Sequence, residues 1–111
     1  MIDSNKIREI IEIPKFKELM SNFPSRKITF TTHTFFRLSD KQKKVLDSET
    51  INDYIFESVP ILVGIQNNGC YAVFYKYKNQ KYIKIILDIR IDKICAVTFY
   101  IIDKNQLPMI R

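Results

Sequence analysis

The sequence predicts an α+β fold: N-terminal helices followed by a four- to five-stranded, mainly antiparallel sheet. Three observations lead there. Apolar residues recur at steps of three and four as far as Pro60, and beyond it the period drops to two. The second half is punctuated by short polar connections, Asn67-Asn68-Gly69, 78–81 and 90–93, which suit an antiparallel meander. The chain has 111 residues, 46% of them hydrophobic and 13% aromatic, enough for one core, so 1–111 reads as a single domain.

The first element is a helical segment, 1–24. Ile7, Ile10, Ile11, Phe16, Leu19, Met20 and Phe23 fall on one side of an amphipathic helix over 3–23, with Asp3 or Ser4 as its N-cap. Pro14 is expected to break or kink it into two helices. Residues 27–32 alternate β-branched and aromatic side chains and read as a short strand. A helix over 33–42 follows, then one over 48–58 capped by Asp47 or Ser48, closed by Pro60 and presenting Ile51, Tyr54, Ile55 and Val59. The meander strands are 61–66, 71–77, 82–89 and 94–102.

A two-residue turn at Asn79-Gln80 pairs Tyr77 with Tyr82, Tyr75 with Lys84 and Val73 with Ile86. The aliphatic row Ile83, Ile85, Leu87 and Ile89 is then the core side, joined by Cys95, Val97, Phe99 and Ile101 of the last strand. Tyr71, Tyr75, Tyr77, Tyr82, Lys84, Thr98 and Tyr100 gather on the other face, with Arg90 near its edge. Phenol rings beside cations suit base stacking with phosphate binding. The β propensity of tyrosine accounts equally for an ordinary half-exposed sheet surface.

A net charge of +6 and a pI near 9.4 favour a polyanion or an acidic protein as partner, although a solvated lysine face has the same balance. With two glycines there is no P-loop and no GxGxxG. Cys70, Cys95 and the single histidine, His33, form no pair at metal-ligand spacing, so no metal is expected and the cysteines read as small apolar residues of a reduced protein. The N-terminal MIDSNKIREIIEI mixes charges into its apolar pattern, which argues against a signal peptide or membrane span and against a membrane partner.

His33 and Arg37, in "HTFFR", are four residues apart and share one side of a helix that begins near the histidine. An imidazole can take a proton from a ribose 2′-OH, and a guanidinium fork can hold the phosphate whose charge grows in the transition state. A histidine that caps or packs leaves the same spacing.

"ITFTTHTFFRL", the helix ending at Pro60 and the meander ending in "CAVTFYII" resemble the RelE-like RNase toxins of the wider barnase, EndoU, colicin and RelE superfamily, over residues 26–103. The resemblance is to domains that open with strand-His-x-x-x-Arg. It implies a RelE/barnase-like core and a metal-independent endoribonuclease that cleaves RNA, tRNA or mRNA, by 2′-OH transesterification. His33, Arg37, Thr98 and Tyr100 would be the catalytic residues. Lys84 and Arg90, with Tyr75 and Tyr82, follow from the face geometry as substrate-binding residues. It further implies no cofactor, a neutralising antitoxin or immunity protein, and action in the cytoplasm, native or reached as the C-terminal domain of a larger delivered toxin. Two features depart from the family: "RLSDKQKK" replaces a second basic stretch, and about 25 residues precede the first core strand. The alternative is a noncatalytic nucleic-acid-binding or protein-interaction module on the same fold.

Overall fold

The computed structural model describes residues 6–23, 28–30 and 46–108. In chain order they form β1 (Ile7–Ile11), α1 (Ile13–Ser21), β2 (Thr29–Phe30), α2 (Ser48–Glu57), β3 (Leu62–Gln66), β4 (Tyr71–Lys76), β5 (Lys81–Ile89), β6 (Ile94–Asp103) and a 3-10 turn (Lys104–Gln106). The fold is α+β. Its six strands form one mixed sheet in the order β1-β3-β4-β5-β6-β2, with β2 parallel to β6 and the other pairings antiparallel.

The β3–β6 meander matches the sequence expectation, whereas the first element does not. Residues 7–11 are a strand rather than a helix. Ile-Arg-Glu-Ile-Ile carries three β-branched residues, and it adds to the edge of β3, which gives its backbone a ladder that a short isolated helix would lack. Pro14 accordingly starts a helix instead of breaking one. It sits in the first turn of α1, where the missing N–H would have had no partner. The sheet therefore has six strands where four to five were expected.

Phe16 and Met20, one helical turn apart, bury α1 against the sheet, and Ile51 and Ile55 do the same for α2. The α2 N-terminus is closed as expected by Asp47, whose carboxylate accepts from the Thr50 N–H at 2.9 Å; hydrogen bonding from the Thr50 backbone, and then from its side chain, holds the Asp47 pKa below the ordinary value. The two helices are tied to their surroundings by side chains. Lys17 donates to the Ser58 carbonyl at 2.7 Å, and Asn52 accepts from the Ile28 N–H at 2.9 Å just before β2.

Two irregularities set which residues share a face. At the β4–β5 turn, Asn79 and Gln80 take φ of 53° and 63°, and the Lys81 N–H donates to the Lys78 carbonyl, a tight two-residue turn as expected. The Tyr77 N–H, however, also donates to the Lys81 carbonyl, so two residues of one strand face one of the other. This bulge moves the register by one: Tyr75 opposes Ile83, Phe74 opposes Lys84 and Lys76 opposes Tyr82. A one-residue slip exchanges the faces of β4. Val73 and Tyr75 consequently join Ile83, Ile85 and Leu87 in the main core beneath the helices, while Ala72 and Phe74 turn to the second face.

The second irregularity lies in β6. Ile86 opposes Thr98 but Leu87 opposes Ala96, which leaves Val97 as the extra residue. Val97 is 40% exposed and Ala96 is buried, the reverse of the strict alternation; Cys95, paired with Asp88, also leaves the core side. Phe99 and Ile101 keep their expected positions on the main core.

The second face is itself partly apolar. Leu62, Ala72, Phe74, Ile86 and Ile102 are buried there, with Ile7, Cys70, Tyr82, Tyr100 and Leu107 packed around them. Ile7 seats on Gly64, where an added Cβ would lie 2.7 Å from the isoleucine Cγ2. Cys70 and Cys95 are both free thiols. Among the described residues no helix is long and apolar enough to cross a membrane.

Candidate nucleic-acid interface

Candidate site residues gather on the second face of the sheet, where β5 and β6 run side by side. Lys84 lies directly across from Phe74 on one flank and Tyr100 on the other. Its Nζ is 5.6 Å from each ring centroid, so a cation stands between two aromatic faces. Thr98, half-buried, is two residues before Tyr100 and projects to the same side; Tyr82, two residues before Lys84, does likewise. The ion pairs between described residues join Lys81 to Asp103 and Arg90 to Asp88, and neither uses Lys84. Four expected site residues, Lys84, Tyr82, Thr98 and Tyr100, therefore share one surface.

Tyr75 does not belong to it. The bulge at the β4–β5 turn places its ring in the main core, 1% exposed, with the Tyr54 ring tilted against it at 5.4 Å. Among the described residues its hydroxyl has no hydrogen-bond partner, and burial pushes the phenol far above its ordinary pKa. A substrate-binding role for Tyr75 is thus replaced by a structural one.

Arg90 is exposed at the far end of β5, where the Asp88 carboxylate grips its guanidinium at 3.1–3.2 Å. It stands six residues along the strand from Lys84, roughly 20 Å at the rise of an extended chain. Arg90 and Lys84 cannot hold the same phosphate. His33 and Arg37 lie outside the described residues, as does the expected helix over 33–42.

Sequence reasoning missed three residues here, one beneath the surface and two that extend it. Phe74, fully buried, supplies the second ring under Lys84 because the register puts it there. Lys6 and Arg8 of the β1 edge line, together with Lys84, Glu9 and Pro108, an open groove of about 380 Å³. The signal for Phe74 was a bulge that alternation does not reveal, and Lys6 and Arg8 were hidden when their strand was read as a helix.

Chemically, the surface offers a cation between rings, the half-buried Thr98 and Tyr100 as hydroxyl donors, and further cations along a groove. That combination suits an anionic ligand with flat groups, and a nucleic-acid strand is the polymer that carries both. Among the described residues no group of His, Cys, Asp and Glu side chains could hold a metal ion. Comparisons with protein families, with curated proteins and with solved structures find no match.

Proposed function

We propose that the chain is a toxin-type, metal-independent endoribonuclease with a RelE/barnase-like core. The observation that carries this reading is the convergence of Lys84, Thr98 and Tyr100, with Tyr82 beside them, on one face of the sheet. In the proposed reaction His33 takes the proton of a ribose 2′-OH, and the freed oxygen attacks the adjacent phosphorus. Arg37 and Lys84 clamp the phosphate as its charge grows, and Tyr100 or Thr98 donates a hydrogen bond to a nonbridging oxygen. The bond to the 5′-oxygen breaks, that oxygen gains a proton, and a 2′,3′-cyclic phosphate remains. Tyr82 stacks on a neighbouring base. RNA, tRNA or mRNA, is the substrate, and an antitoxin or immunity protein with an acidic face is the matching neutraliser in the cytoplasm where the toxin acts.

The test is cleavage of RNA in EDTA. General acid–base help contributes about 10²- to 10⁴-fold and a positioned charge-stabilising donor about 10²- to 10³-fold, so His33→Ala and Lys84→Ala should each lower the rate within those ranges. Equal rates for wild type and His33→Ala would assign the cleavage to a contaminant. Salt-dependent RNA binding with no cleavage by any form would leave the noncatalytic module on the same face.

A further inference from the structure

Resting on the ribonuclease reading, we infer that the groove between β1 and Lys84 is a second phosphate track, which holds several nucleotides of single-stranded RNA on one side of the bond that is cut. β1 and β5 are separated by β3 and β4, three steps of the ~4.8 Å strand spacing or about 14 Å, yet residues of both line this one groove. An occupant that meets Lys84 and also Lys6 and Arg8 is elongated and carries more than one negative charge. A second, independent feature aims at the groove: β1 is bulged at Arg8. Ile7 pairs with Gln66 and Glu9 with Ile65, so Arg8 is the extra residue, and Ile7 and Ile10 are both brought over the same face. Lys6 and Arg8 are exposed, and Glu9 is the one carboxylate among the groove-lining residues. The groove continues the face that bears Lys84, Tyr82 and Tyr100, so its cations extend a surface that already pairs charge with rings. This favours a nucleic-acid strand over an acidic peptide, which has no use for stacking platforms.

The experiment measures binding of 2′-O-methyl oligoribonucleotides, which resist cleavage, to the full chain across a salt series. Two lengths are compared, a dinucleotide and a hexanucleotide, with wild type, the Lys6→Gln/Arg8→Gln double variant and Glu9→Gln. For the hexanucleotide the double variant should make the slope of log affinity against log salt shallower by about 1.4, at ~0.7 for each of two lost phosphate contacts on a single strand. The dinucleotide should bind the double variant as it binds wild type, and Glu9→Gln should tighten the hexanucleotide. Both variants change exposed side chains, and circular dichroism checks that they fold. An unchanged hexanucleotide slope overturns the track. If wild type still cleaves RNA in that case, the ribonuclease reading survives without it; a changed slope with no cleavage by wild type keeps the track and removes the nuclease. A polyglutamate peptide that binds with dependence on Lys6 and Arg8, while the hexanucleotide shows none, overturns the inference in favour of protein docking.

Discussion

Tyr75 shows how much one side chain can carry in this fold. Its ring fills the main core, but its hydroxyl is buried without a partner among the described residues, and an unsatisfied buried polar group costs about 1–3 kcal/mol. Tyr75→Phe keeps the ring and deletes the orphan, so it should raise stability at pH 7 by about 1 kcal/mol, read from the urea midpoint. A loss of that size would reveal a partner for the hydroxyl. The pH dependence follows from the raised pKa. Below 10.0 the phenol is neutral in both the folded and the unfolded chain, whereas above it the unfolded chain ionises and the buried group does not. Wild type should therefore lose stability as pH rises past 10, and the advantage of Tyr75→Phe should widen over that window. Sequence reasoning placed Tyr75 among the exposed tyrosines because tyrosine suits both environments equally well. Only the register decides between them, and the register turned on one extra residue beside Asn79 and Gln80.

At the level of elements, what could be read was the extent of each meander strand and the cap of α2; what could not was register. Strand bounds follow from runs of β-branched and aromatic residues between turn signals, and Asp47 before Ser48 is a local signature whose hydrogen bond involves neighbours only. Bulges are different, because they depend on how twist and side-chain size are accommodated across two strands. β6 is the sharpest case. Simple alternation makes Val97 the core partner of Leu87, yet the pairing of Leu87 with Ala96 puts Val97 at the surface. Leu87→Ala should cost roughly 2–5 kcal/mol by the cavity it leaves, and Val97→Ala under about 1 kcal/mol. Chemical denaturation of the two variants side by side separates the arrangements: equal, large losses would restore strict alternation and abolish the bulge. The site lies on the regular side of this bulge: Thr98 and Tyr100 keep the alternation that sets them beside Lys84, and the residues displaced are Val97, Ala96 and Cys95.

On the scale of the whole molecule, the open question for a sequence reader is which strands meet, because β1 and β2 reach the sheet across long stretches of chain. The β1–β3 and β2–β6 pairings join residues far apart in sequence, and no local pattern encodes them. Charge, in contrast, is legible from composition, and its effects on folding and on binding have opposite signs. The net charge of +6 repels itself in the compact state, and the described ion pairs, Lys81–Asp103 and Arg90–Asp88, are exposed and contribute little. Raising sodium chloride from 0.1 M to 1 M shortens the screening length from about 10 Å to about 3 Å, which relieves the self-repulsion and weakens those exposed pairs. The urea midpoint should therefore stay constant or rise over this range. RNA bound as proposed, at Lys84 and the β1 cations, should instead be released, because affinity of that kind comes largely from displacing counterions that the added salt restores. Parallel denaturation and binding titrations in the same buffers check this divergence: a midpoint that falls together with the affinity would mean that ion pairs hold the fold itself, and that loss of RNA at high salt reports unfolding rather than the charge of the groove.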